Sequence, residues 1–168
     1  EVKRMSEKTI AAIATPSGEG ALGVIRISGE NAINTAAKIF FPFSGRSLAD
    51  FEGYKAAYGE IKDGEAVLDD AVALVFKAPH SFTGEDTVEI DCHGGSFVTR
   101  RVLEAVLSAG ATLADRGEFT NRAFLNGKLD LSQAEAVIDL IQAESETAVS
   151  LSINQLNGRL SEPIASMR

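Results

Sequence analysis

The stretch TPSGEGALGVIRISG, residues 15–29, carries a literal G-x-G-x-x-G in Gly18, Gly20 and Gly23, and its surroundings narrow the fold more than any other feature of the chain. A dinucleotide-binding turn needs a strand before the glycines, a helix after them to receive the pyrophosphate, and an acid about 20 residues later to hold the ribose. Here the β-branched, apolar TIAAIA (9–14) precedes the loop, but ALGVIRIS (21–28) follows it and also reads as a strand. Around position 43 the chain reads FFPFSG, with no carboxylate until Asp50. No G-x-x-x-x-G-K-[ST] occurs either; NGKLD (126–130) has the lysine without the hydroxyl or the first glycine. Both tests argue against a doubly wound or phosphate-loop fold. The glycines are left to allow close backbone approach, between strands or between a strand and a flat ligand.

Beyond the loop, ENAINTAAKIF sets Ile33, Ala36, Ala37 and Phe40 at helical spacing before Pro42 and Gly45 break the pattern. YKAAYGEI and AVLDDAVALVF are strand-like and flank Asp63-Gly64, which predicts a hairpin. HSFTGED reads as a polar loop and TVEIDCHGG as a strand halted by two glycines. SFVTRRVLEAVLSAG then reads as a helix with Phe97, Leu103, Val106 and Leu107 on one side and Gly110 as its stop. This half is α+β. From Leu129 onward no strand is predicted. Ala134, Ile138, Ile141, Val149, Leu156 and Leu160 keep helical steps, Ser132 and Glu135 match an S-x-x-E capping box, and Gly158 and Pro163 should bend or end the long helix. Six acids against two bases make its outer face negative, and its apolar face calls for a partner surface.

With 168 residues, 45% of them hydrophobic, the chain can bury a sizeable core. A net charge of −8 disfavours an electrostatic grip on a phosphate backbone. Cys92 is the single cysteine, so no internal disulfide forms. No leader and no apolar run of about 18 residues is visible, and the expected location is cytoplasmic with no membrane role.

Three stretches go further: IAAIATPSGEGALGVIRISG, SFTGEDTVEIDCHGG and GEFTNRAFLNGKLDLSQAEAVIDLIQA. Together they closely resemble the N-terminal part of the TrmE/MnmE family of tRNA-modification GTPases. The resemblance implies an α+β folate-binding and dimerisation domain over residues 1–120, similar in fold to the folate-binding part of the glycine-cleavage T-protein. Residues 121–168 would then be the first helices of a helical domain. The family's GTPase domain, with its GTP, magnesium and potassium sites, would lie outside this chain, as would its C-terminal cysteine motif. The family, with an FAD-dependent partner subunit, places an aminomethyl-type group on C5 of the tRNA wobble uridine, using GTP hydrolysis and a tetrahydrofolate one-carbon donor, either 5-formyl or 5,10-methylene. On this sequence the folate contacts fall on Arg26, Glu89 and Lys128. A further family contact lies in the C-terminal part the chain lacks, so the pocket is expected to be incomplete and the chain to bind rather than catalyse.

The residues themselves leave alternatives. Glu89 suits the adjacent N–H donors of a reduced pterin edge, yet strict alternation would also send Thr87, Glu89 and Asp91 to an open face while Val88, Ile90 and Cys92 turn inward. Arg26 could sit beside the ligand's carboxylates or face solvent on its strand. Lys128 could be a plain loop lysine; its role depends on the resemblance. Asp91, Cys92 and His93 look superficially like a metal or nucleophile cluster, but strand neighbours point apart and His80 is the only other histidine. A structural His93 bonded near Gly94-Gly95 is the expectation, with no metal site and no catalytic residue in the chain. Arg100, Arg101, Arg116 and Arg122 could touch tRNA or form local ion pairs. Two rival readings remain: a self-sufficient folate-dependent aminomethyltransferase, with Glu89, Asp91 or His93 as general acid or base, and a pure assembly module.

Overall fold

The computed structural model describes residues 8–157. Gly158, Leu160 and Pro163, expected to continue and then end the last helix, lie outside the described residues. The chain divides into two compact units: Glu1–Ser81 with Glu85–Arg116, and Phe82–Gly84 with Gly117–Arg168.

The first unit is built on a seven-stranded sheet. Its strands are β1 (Ile10–Ile13), β2 (Leu22–Ser28), β3 (Phe40–Pro42), β4 (Lys55–Asp63), β5 (Ala66–Phe76), β6 (Thr87–His93) and β7 (Thr112–Leu113), in spatial order β3-β4-β5-β6-β2-β1-β7. Every pairing is antiparallel except β1 with β7. The two strands around the glycine loop pair directly, Ile10 opposite Ser28 and Ile13 opposite Ile25, so the loop joins two antiparallel strands and is not a strand-to-helix turn. Gly64, at φ +62°, closes the expected hairpin between β4 and β5.

Alternation does the rest. Ile25 and Ile27 of β2, Val88, Ile90 and Cys92 of β6, and Ala71, Ala73 and Val75 of β5 are all buried in one core. That core also takes Ala32, Ile33 and Ala36 of α1 (Ala32–Ala37) and Val102, Ala105 and Val106 of α2 (Ser96–Ser108). The glycines serve this packing. Gly23 lies on the inward face of β2, where a Cβ would collide with Thr99 Cγ2 of α2, and a Cβ on Gly94 would come within 2.5 Å of the Leu22 carbonyl oxygen. Close approach to a helix and to a neighbouring strand explains both positions.

Two helix expectations fail in this unit. Phe40 belongs to β3 and not to the helix, because the chain leaves helical geometry after Lys38 and Phe40 pairs with Ile61. Phe97 is 74% exposed, since the inward face of α2 is Thr99, Val102, Ala105 and Val106.

The second unit is helical: α3 (Glu118–Leu125), α4 (Leu131–Ile141) and α5 (Glu146–Leu156). The expected single long helix is two, because Ser145 starts α5 afresh, its hydroxyl accepting from the Ala148 N–H. The capping box is also displaced. Asp130 accepts from Gln133 N at 2.8 Å while the Gln133 amide oxygen accepts from Asp130 N at 2.9 Å, so Ser132 and Glu135 are already inside the helix. The helices run antiparallel, Gln133 Nε2 donating to the Leu156 carbonyl and Gln155 Nε2 to that of Ser132.

Candidate functional site

The outward face of the central strands carries the charge. Arg26 and Glu89 are register partners on β2 and β6. The guanidinium reaches straight across, Nε donating to Glu89 Oε1 at 2.7 Å and Nη2 lying 2.7 Å from the same oxygen. Both side chains are about one-quarter exposed (28% and 23%), which makes the pair stronger than a fully solvated one and leaves it reachable. Both of these contacts converge on Oε1. The alternation read in the sequence holds from Val88 to Cys92, with Val88, Ile90 and Cys92 inward and Glu89 and Asp91 outward, but Thr87, expected on the open face, is buried, its hydroxyl donating to the Glu85 carbonyl and Ser28 Oγ. Glu89 is nonetheless not simply solvated, because its neighbour across the ladder is a cation.

Asp91 follows Glu89 on the same face, opposite Val24 on β2 and Val72 on β5. Desolvation by these neighbours raises its carboxyl above the ordinary value, and the Glu89 charge adds to the rise. Cys92 points the other way, its Sγ donating to the Gly23 carbonyl at 3.4 Å. Burial, with the Asp69 charge second, pushes its thiol up to about 11, so it is no nucleophile.

His93 departs from expectation. It is not held by the Gly94-Gly95 turn but by Asp69 of β5. The His93 backbone N–H donates to Asp69 Oδ2 at 2.7 Å, and ring Nδ1 lies 2.7 Å from Oδ1. The β5–β6 ladder ends at Val72 and Asp91, and the Asp69 carboxylate takes the next strand N–H in place of a carbonyl. Sequence reading missed this pair because Asp69 and His93 meet only through the antiparallel register. The available signal was the doublet Asp69-Asp70 inside an otherwise apolar strand.

Lys128 belongs to the second unit. Its backbone N–H donates to the Ala123 carbonyl at 2.8 Å, and its Cγ sits where a Cβ on Gly84 would be 3.1 Å away. Asn126 Nδ2 donates to the Thr83 carbonyl at 2.7 Å, fastening Phe82–Gly84 into that unit. Among the four arginines, Arg122 is buried and bonded to Glu118, Nη2 to Oε1 at 2.9 Å, and so is structural. Arg101 reaches Asp63 at 3.5 Å. Arg100 borders a cleft of about 640 Å³ between the glycine loop and the start of α2, which none of Arg26, Glu89 and Lys128 lines. Among the described residues no group of histidine, cysteine and carboxylates could hold a metal ion, and no helix is long and apolar enough to cross a membrane.

Fold and face together define an α+β domain, helix-backed on one side of a mainly antiparallel sheet and bearing a guanidinium–carboxylate pair at the centre of the other. The family model described as GTP-binding protein TrmE N-terminus matches residues 9–128. Proteins named tRNA modification GTPase MnmE are similar: that of Symbiobacterium thermophilum is 52% identical over 98% of this chain and 36% of its own length. Those of Clostridioides difficile (49%, covering 96% of this chain and 35% of the relative) and Bacillus subtilis (48%, 95% and 35%) follow the same pattern. The chain belongs to the TrmE/MnmE family and corresponds to its N-terminal region. It spans about a third of the length of the curated relatives it matches.

Proposed function

We propose that this chain is the folate-binding and dimerisation part of a tRNA-modifying GTPase, with residues 1–120 forming a domain similar in fold to the glycine-cleavage T-protein and 121–168 opening a helical domain. The observation that carries the reading is the Arg26–Glu89 pair on the outward face. A partly buried carboxylate oriented by a guanidinium has the acceptor capacity to take the adjacent N–H donors of a pterin edge alongside its ion pair. Arg26 then both orients Glu89 and lends a positive charge beside an anionic ligand; Lys128 is carried over as a further folate contact on the family resemblance alone. A tetrahydrofolate derivative bound there supplies a one-carbon unit; this chain's residues bind and orient it. In the whole protein, which modifies C5 of the tRNA wobble uridine, the GTP, magnesium and potassium sites and the FAD-dependent partner subunit lie outside this chain. The setting is cytoplasmic, and a homodimer forms through this domain.

Calorimetric titration of the full-length protein with 5-formyltetrahydrofolate tests the assignment. Glu89→Ala removes charge-assisted hydrogen bonds of about 1.5–3 kcal/mol each and should weaken binding by at least tenfold, with Arg26→Ala and Lys128→Ala also weakening it. A parent protein that does not bind, or a Glu89→Ala variant that binds as tightly as the parent, removes the folate reading. Sedimentation across a concentration series tests the dimer; a monomer throughout counts against it.

A further inference from the structure

We infer that His93 is a proton-transfer residue, its exposed Nε2 fixed as the proton acceptor by Asp69. The inference rests on the proposed function only in placing His93 in the modification reaction; the dyad itself stands on its own geometry.

Asp69 grips His93 twice, at the backbone N–H through Oδ2 and at ring Nδ1 through Oδ1. The first contact is enough to close the strand ladder. The second holds the orientation of a ring that is 71% exposed and gains little burial in return, while its carboxylate partner is only 12% exposed. A carboxylate accepts only, so neutral His93 must carry its proton on Nδ1 and present the Nε2 lone pair outward. The ring stands at a cleft of about 310 Å³, within the range of small-ligand sites, with Leu22, Tyr58 and Val72 on its apolar side. The titratable groups around it are Asp69 and Asp70 on β5, Asp91 and Cys92 on β6 and Tyr58 on β4; β2 contributes Leu22, which carries no charge.

The step is a simple transfer. The Nε2 lone pair takes a proton from an N–H or O–H acid brought into the cleft, that group keeps its bonding pair as a nucleophile, and Nδ1–H stays on Asp69. The imidazolium then returns its proton to solvent from the exposed ring edge. Glu89, four residues back along the same face, is about 13 Å away along the strand, so the dyad acts beside the Arg26–Glu89 pair and not through it.

The test uses the full-length protein. Asp69→Asn keeps an oxygen for the His93 backbone N–H but sets an amide N–H against the ring, forcing Nδ1 to accept and Nε2 to carry the proton. ¹⁵N NMR should show neutral His93 as the Nδ1–H tautomer in the parent and as Nε2–H in Asp69→Asn. General-base catalysis contributes on the order of 10²–10⁴-fold, so kcat for tRNA modification should fall tenfold or more in Asp69→Asn and His93→Gln. KM for tRNA and affinity for 5-formyltetrahydrofolate should stay within twofold, and added imidazole should restore activity to His93→Ala. An Nε2–H tautomer in the parent, a fall of less than tenfold in Asp69→Asn, or no imidazole rescue overturns the assignment. Failure of the parent to bind folate would remove the folate reading and leave the tautomer and kcat results standing.

Discussion

Replacing Gly23 by alanine tests what the glycine loop is for. Gly23 does not lie in the left-handed region, so an alanine there suffers no backbone strain, and its only new demand is room for one methyl group. That room is taken by Thr99 Cγ2, with Gly94 Cα a further 3.4 Å neighbour. Thr99 cannot swing aside freely: it is buried, and its hydroxyl donates to the carbonyls of Gly95 at 3.1 Å and Ser96 at 3.3 Å, fixing its rotamer in the first turn of α2. Overpacking a tight core by one methyl costs about 1–3 kcal/mol, and the reduced freedom of the unfolded chain returns about 0.4–1 kcal/mol. Because Thr99 Cγ2 occupies the new methyl's place, the upper end of the overpacking range applies and the net loss is about 2 kcal/mol, or roughly 4–8 °C in Tm for a chain of this size by differential scanning calorimetry. Thr99→Ser deletes Cγ2 and keeps the hydroxyl bonds, so the double variant should show a coupling of at least about 1 kcal/mol in favour of the pair. Additive losses, or a Gly23→Ala Tm within a degree of the parent, would refute the packing explanation and reopen a ligand-facing role for that glycine.

Asp91→Asn has a sign fixed by the direction of its shift. A carboxyl raised in the folded state binds its proton more tightly there, so its contribution to stability is full below the ordinary value of 3.8 and is lost as pH rises through the raised value. The urea midpoint of Asp91→Asn should therefore exceed the parent's at pH 7 and match it at pH 3; a lower midpoint at pH 7 would contradict the burial argument. In the helical unit, Arg122→Ala removes a guanidinium that is 2% exposed from a buried carboxylate and should destabilise that unit by about 3–5 kcal/mol, read by hydrogen exchange at α3 amides. Unchanged exchange there would show that the Glu118–Arg122 pair carries no structural weight.

What the sequence disclosed followed from periodicity. The alternation Val88, Ile90, Cys92 against Glu89, Asp91 is visible in one strand, and so are the hairpin at Asp63-Gly64 and the strand after the glycine loop. Helix boundaries were less legible because two signals competed over a few residues. Ser132 and Glu135 match a capping box as well as Asp130 and Gln133 do, and only the backbone geometry at Asp130 chooses between them. Phe97 satisfied the apolar pattern of α2 yet stands exposed, since it lies on the side of the helix opposite Thr99, Val102 and Val106, which face the sheet. The pairs that matter most, Arg26 with Glu89 and Asp69 with His93, join different strands, and no local pattern names a partner across a register.

That register is nevertheless fixed by the same residues that were legible. β6 lies between β5 and β2, and a slip of one residue against either neighbour would turn Glu89 and Asp91 into the core and expose Val88, Ile90 and Cys92. Burying two carboxylates among isoleucines and valines is far costlier than any gain in the ladder, so the apolar alternation admits one alignment. That alignment alone sets Arg26 opposite Glu89 and leaves Asp69 three residues beyond Val72, the last position of β5 paired with β6, where its carboxylate meets the N–H and ring of His93. The charged face is thus a consequence of how the core is patterned, and a substitution that loosens the core alternation in β6 should disturb both pairs together, whereas one at Glu89 or Asp69 should disturb its own pair and leave the other in place.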